Sequence, residues 1–255
     1  MNESVESGGS HMNNREILEE WIKLNKLGVE YSPKVTTMAM DYDTLSPGLR
    51  DTYDNMCDYV RYRGMELMAE QLAHRKIQGA IAEAGVDMGL TSAFLNRLFP
   101  DRKLYLYDTF DSFPENLLDI DIERFDADPT LADNWAMIRP DSDTRIRFIR
   151  EHLTYEEMVY FRKGIFPDTA LRYDIDETFA FVLLDMDLYQ STLEGIRFFY
   201  PRLASGGLMM LHDYNTSLFK GIKTAVEESE KEFGRFLYVP LPDQGGSIVI
   251  MKPYA

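Results

Sequence analysis

The chain has one cysteine, Cys57, among its 255 residues. A single thiol excludes an internal disulfide, so the fold rests on its core, and a reducing cytoplasm is the expected location. No apolar stretch reaches the roughly 18 residues that a membrane-spanning helix needs, and no secretory leader is visible. Basic residues are scarce: 27 lysines and arginines stand against 43 aspartates and glutamates, a net charge of −16. That balance repels nucleic acid and anionic membranes, so neither is an expected partner. The G-x-G-x-x-G fingerprint is missing, and no catalytic Tyr/Lys pair stands in register with the glycines present. Both absences argue against a nicotinamide-dependent oxidoreductase.

What is present is ordinary globular material, 45% hydrophobic and 27% charged, with length enough for a sizeable core. Residues 1–12 are polar and Gly/Ser-rich, and read as a tag or a disordered tail. Residues 13–74 read as an N-terminal helical cap. Ile17, Leu18, Trp21, Ile22, Leu24 and Leu27 recur at helical spacing over 14–27, 31–47 is loop-like, and 49–74 gives one or two helices with Met65, Met68 and Leu72 on one side. From residue 75 the rhythm changes to short strand, helix, short strand, which predicts an α/β fold with a doubly wound parallel sheet. Strands are expected at 79–84, 103–107, 158–162, 180–184 and 208–211, and helices at 91–99, 143–152, 191–203 and 218–233. A closing hairpin, 236–239 and 247–251, turns at Pro242-Asp243-Gln244-Gly245-Gly246. Residues 115–143 break this rhythm with nine acidic residues and two arginines, an insertion that is either a binding lid or a solvated excursion.

Two apolar runs carry the chemistry. Phe181-Val182-Leu183-Leu184 ends in Asp185-Met186-Asp187, and Leu208-Met209-Met210-Leu211 ends in His212-Asp213. Both read as buried parallel strands. Ligands of open α/β sheets bind beyond the carboxyl ends of strands. These two ends therefore bring Asp185, Asp187, His212 and Asp213 to one crevice, suited to a divalent metal, a general base, or both. The competing role for the two aspartates of the first strand end is to cap the following helix, which Ser191 or Thr192 could do instead.

The first strand runs into Glu83-Ala84-Gly85-Val86-Asp87-Met88-Gly89. Glycines in such a turn let a ligand approach the backbone, and the amides of the next helix can hold an anion. The second strand ends in Asp108, 23 residues after Gly85, where a carboxylate can accept both hydroxyls of a ribose; its competing role is an N-cap. Phe110 follows and could lie against a purine. Tyr53, Tyr59 and Tyr62 stand near Arg61 and Arg63 in the N-terminal segment, with Tyr59 the candidate for a cofactor-edge contact.

Taken together, these residues resemble the class I S-adenosylmethionine methyltransferases, and more narrowly the macrocin O-methyltransferase family, which methylates sugar hydroxyls in antibiotic biosynthesis. The matching pieces, in order, are Glu83-Ala84-Gly85-Val86, the run Tyr107 to Pro114, the run Lys163 to Thr169, Leu184 to Thr192, Tyr200 to Leu203 with Gly206-Gly207, and His212-Asp213-Tyr214. The resemblance implies a mostly parallel seven-stranded Rossmann-like sheet with an antiparallel last strand. It implies that Glu83, Gly85, Asp108, Thr109, Phe110 and Ser112 line the S-adenosylmethionine pocket, with Gly164 and Phe166 nearby. It also implies that Asp185 binds a divalent metal, Mg or Mn, together with His212 and Asp213, while Asp187 is the general base. One departure is His212, since the family's usual pair at 212–213 is Asp-Asp. An imidazole suits Mn, Fe, Co or Zn better than Mg, so His212 could bind a softer metal, act as a second base, mark a metal-free enzyme, or be a structural histidine. The expected activity is O-methyl transfer to a sugar-containing acceptor with a vicinal diol; the alternative is a catechol or phenol acceptor. A homodimer or higher homo-oligomer is expected from the helical N-terminal segment.

Overall fold

The computed structural model describes residues 59–254 except 138, 175 and 244, and leaves the side chains of 134, 135 and 137 undescribed. The elements read at 14–27 and 31–47 lie outside the described residues, as do residues 49–58. In order, the elements are α1 Tyr59–His74, β1 Ala80–Ala84, α2 Leu90–Leu98, β2 Leu104–Asp108, α3 Glu115–Phe125, α4 Leu131–Met137, α5 Ser142–His152, β3 Val159–Lys163, α6 Asp168–Tyr173, β4 Phe179–Leu184, α7 Tyr189–Arg202, β5 Leu203–Leu211, α8 Gly221–Phe233, β6 Leu237–Pro240 and β7 Ile248–Met251. Among the described residues no helix is long and apolar enough to cross a membrane.

The seven strands form one sheet in the order β3-β2-β1-β4-β5-β7-β6. The first five are parallel, and β7 runs antiparallel to both β5 and β6. The central strands explain their own burial. Every residue of β1 and β4 is buried, because helices cover both faces and no position faces water. Beneath β4, Phe179, Phe198, Phe199 and Phe166 interlock edge-to-face and stacked, with ring centroids 5.0–6.5 Å apart. Burying each such ring is worth roughly 1.5–3 kcal/mol.

Helix α1 packs within the same compact unit as the sheet. Its Met65 and Leu72 are buried as the spacing predicts, and Tyr62 packs edge-on against Phe94 of α2 at 5.1 Å. A cap ending at residue 74 therefore takes in one helix that the sheet domain claims. Strand β5 is longer than its apolar run. Its pairing jumps from Phe179↔Leu203 to Phe181↔Leu208, so the Gly206-Gly207 segment lies inside a bulged strand instead of ahead of it.

The acidic stretch 115–143 is neither bare loop nor purely solvated. It folds into α3, α4 and the start of α5, and Leu118 and Leu131 pack with Leu188, Phe219 and Ile222. Its Asp121 also starts α7: both carboxylate oxygens accept from the Tyr189 N–H at 3.1 Å. The cap on the helix after Asp187 thus comes from the insertion, not from Ser191, Thr192 or the strand-end aspartates.

Burial raises the Asp121 pKa to about 6, against the Tyr189 N–H and Arg124, which favour the charged form. Between about pH 4 and 6 the folded chain holds a proton that the unfolded chain has released, so this group's contribution to stability falls as pH rises through that window. Asp121→Asn keeps an accepting oxygen without the charge. It should match the wild type at pH 4 and exceed it at pH 8 by on the order of 1 kcal/mol after allowance for partial solvation, read as a rise in melting temperature of roughly 2–4 °C. Equal melting temperatures at both pH values would contradict this.

Candidate active site

Strand register builds the site. Ala84 pairs with Tyr107 on one side and Leu184 on the other, and Leu184 pairs with Leu211. One residue further on, Asp108, Gly85, Asp185 and His212 therefore stand in a row. The ladder continues through them: Gly85 N–H donates to Tyr107 O at 2.9 Å, Asp185 N–H to Ala84 O at 2.7 Å, and His212 N–H to Leu184 O at 2.9 Å. Strand order reverses between β1 and β4, and such a crossing is where doubly wound sheets open a crevice. Here it opens a cavity of about 460 Å³, a size suited to a small ligand.

On one wall lie Glu83, Gly85, Asp108, Thr109, Ser112, Gly164 and Phe166. Gly85 has φ +90°, and a Cβ there would sit 1.8 Å from the Asp185 carbonyl oxygen. Only glycine lets β1 and β4 meet so closely. Asp108 holds the turn, its carboxylate accepting from the amides of Val86 at 2.6 Å, Asp87 at 3.1 Å and Phe110 at 2.6 Å. Burial raises its pKa, and these amides oppose the rise. Glu83 is buried and takes a hydrogen bond from the Ser92 hydroxyl. Its burial holds the carboxyl's pKa well above the usual range, against that hydrogen bond. Phe166 stacks on Phe199 at 5.4 Å.

Two expected members of this wall stand elsewhere. Phe110 is fully buried, with its ring against Phe161 at 5.9 Å. Its positive φ of 51° accompanies a ring turned into the interior while its neighbours Thr109 and Asp111 face the cavity. Tyr59 is not on the cavity wall; Arg61 and Tyr62, two and three residues along α1, are. Tyr62 O–H and the Thr91 hydroxyl are 2.7 Å apart, which ties α1 to the start of α2.

At the ends of β4 and β5 the cavity is lined by Asp185, Asp187, His212 and Asp213. His212 Nδ1 is 2.9 Å from Asp185 Oδ1 and 3.0 Å from Asp213 Oδ2, yet neither contact has hydrogen-bond geometry. The three side chains can each offer one donor atom to a common ion, all within 4.8 Å of one another. Ligands at right angles on bonds of roughly 2.1 Å lie about 3.0 Å apart, so the spacing fits a shared cation. Arg61 Nη1 sits 3.3 Å from the other oxygen of Asp185. Burial favours a neutral imidazole, but Asp185 and Asp213 outweigh it and raise the His212 pKa to about 10. Asp187 has φ 63°, a conformation uncommon outside glycine and tolerated by aspartate. Burial, then the Asp185 and Asp213 carboxylates, push its pKa well above the usual range.

Sequence reasoning missed the role of Arg61 at Asp185, and missed Arg145, which is 4% exposed and lines the cavity. It also missed Leu218 and Phe219, an apolar stretch of wall supplied by the loop before α8. Arg145 sits in an amphipathic helix with two other arginines, and no local pattern marks it out.

The family model described as Macrocin-O-methyltransferase (TylF) matches residues 22–234. The chain belongs to the macrocin O-methyltransferase family. Among relatives, demethyldecarbamoylnovobiocin O-methyltransferase of Streptomyces niveus is 26% identical over 68% of this chain and 66% of its own length. The 8-demethyl-8-(2,3-dimethoxy-alpha-L-rhamnosyl)-tetracenomycin-C 4'-O-methyltransferase of Streptomyces olivaceus is 28% identical over 60% of each. The chain thus spans somewhat under two thirds of the relatives it matches. Among solved structures, the O-methyltransferase NovP superposes with a TM-score of 0.65 at 23% identity, over 76% of this chain and 80% of that one. A calicheamicin methyltransferase superposes at 0.59 and 19% identity, over 95% and 94%. Both share the overall fold of this chain.

Proposed function

We propose that this protein is an S-adenosylmethionine-dependent O-methyltransferase acting on a hydroxyl of a sugar-containing small molecule. The register row carries the reading. It sets Gly85 and Asp108 on the β1–β2 side of a cavity, and Asp185 and His212 on the β4–β5 side, with Asp187 and Asp213 just beyond them. The family membership supports the reaction class, and the rhamnosyl group in one relative's name supports the acceptor class.

The cofactor supplies an electrophilic methyl group on a sulfonium. Asp108 would accept the ribose hydroxyls, and the amides at the start of α2 would face the cofactor's carboxylate. Methyl transfer needs the acceptor oxygen held in line with the methyl, and positioning alone is worth roughly 7–11 kcal/mol. Asp187 would take the acceptor's proton.

Asp185, His212 and Asp213 fit a divalent metal by spacing and by donor type, and such an ion would acidify a chelated hydroxyl. A nitrogen donor between two carboxylates favours Mn, Fe, Co or Zn over Mg. A radiolabelled methyl-transfer assay over glycosides and catechols, with chelator and added metals, tests this. We expect glycoside methylation, at least tenfold lower in chelator and restored better by Mn²⁺ or Co²⁺ than by Mg²⁺. Full activity in chelator would remove the metal from the account, and turnover of catechols alone would move the acceptor class.

A further inference from the structure

The insertion is fastened to the cofactor wall at two points. At its near end, the Ser112 hydroxyl donates to Ala132 O of α4 at 3.0 Å. At its far end, Arg139 makes a two-pronged ion pair with Asp87: Nε to Oδ1 at 2.5 Å and Nη2 to Oδ2 at 2.8 Å. Both anchors belong to the motifs that build the cavity. Ser112 belongs to the run from Tyr107 to Pro114, and Asp87 lies in the turn after Gly85; both line the cavity. Helix α4 is the segment held between these clasps.

We propose that Arg139 is a positioning residue that latches the insertion onto the cofactor turn, and that the cofactor enters and leaves when this latch opens. The idea rests on the cofactor assignment given above. Asp87 links the latch to the ligand. Its backbone N–H donates to Asp108 Oδ2, the carboxylate assigned to the ribose, and its backbone is left-handed, at φ 49°. Two parallel hydrogen bonds from a guanidinium fix a carboxylate in direction as well as distance. Arg139 therefore holds the Asp87 side chain, and with it the orientation of the amide that supports Asp108.

The pair is also suited to opening. The side chains of Arg139 and Asp87 are 17% and 38% exposed. Water can replace the lost partners, and salt weakens an ion pair of this kind. A buried pair would lock the insertion down; a half-exposed one can exchange. Among the described residues, the insertion's other ion pairs join it to α8 and the residue before it, Arg124 with Glu228 and Lys220 with Asp126, and to β3, Lys163 with Asp143; none of them involves the cofactor turn.

The test uses the full chain with S-adenosylhomocysteine as probe. The variants are Arg139→Met, Asp87→Asn, the double variant, and Arg139→Lys. Asparagine tolerates the left-handed backbone at position 87, so that change removes charge without adding strain. Stopped-flow displacement should show the ligand leaving about tenfold faster from either single variant. The double variant should be no worse than the singles, and Arg139→Lys should recover part of the loss. Melting temperatures without ligand should stay within roughly 2 °C of wild type, which a merely structural role would not allow alongside faster release. Raising salt from 0.05 to 0.5 M should speed release from wild type more than from Arg139→Met. Unchanged release rates in the variants, or additive effects in the double variant, would overturn the latch and leave the cofactor assignment standing. Failure of the wild type to bind S-adenosylhomocysteine would overturn both.

Discussion

Asp187→Asn is expected to bind S-adenosylhomocysteine as the wild type does, and to transfer methyl roughly 10²–10⁴-fold more slowly. The reasoning is geometric. Asp187 lies two residues beyond Asp185, just past the end of β4, and lines the cavity. It is spared the duty of capping α7, because Asp121 accepts the Tyr189 N–H. Asparagine keeps the shape while removing the base. Steady-state kinetics with S-adenosylmethionine would read the effect as a fall in kcat with little change in cofactor KM. A variant within threefold of wild type would pass the base role to another group, and His212 would be the next to test.

Gly85→Ala should have the largest effect on the fold itself. The added Cβ would meet backbone, the Asp185 carbonyl oxygen at 1.8 Å and its carbon at 2.4 Å, and neither can turn aside as a side chain could. The φ of +90° adds strain for any residue with a Cβ. Relief requires β1 and β4 to part at the crossing where the cavity opens. We expect a loss of several kcal/mol, seen as insoluble expression or a fall in melting temperature of 10 °C or more, and no measurable cofactor binding. A variant as stable as wild type and binding cofactor normally would mean that the β1 and β4 ends are not in contact in solution.

Much of this was legible in the sequence, because strand ends advertise themselves. Apolar runs too short for helices marked β1, β2, β4 and β5 along the chain, and the acids and the histidine just beyond the last two marked one crevice. The hairpin after α8 was readable from its Gly245-Gly246 turn. What escaped depends on contacts between distant residues. Phe110 lies between two cavity-facing neighbours, and only its packing on Phe161 turns it inward. Tyr59 and Tyr62 have the same local context, so nothing in the sequence shows which of them faces α2. The insertion's acidic surface hid the helices beneath it, whose few apolar residues pack on α7 and α8 instead of on the sheet. Arg139 and Asp87 are 52 residues apart, and no periodicity joins them.

The central claim is that the β1/β4 crossing holds S-adenosylmethionine, with Asp108 taking its ribose. Titration calorimetry of S-adenosylhomocysteine against wild type and Asp108→Asn tests it most directly. The account predicts one site of micromolar affinity in the wild type, and about tenfold or greater weakening in Asp108→Asn, as expected for losing a charge-assisted hydrogen bond. Equal affinity in the two proteins would displace the ribose from Asp108. No binding to a folded wild type would contradict the methyltransferase reading itself.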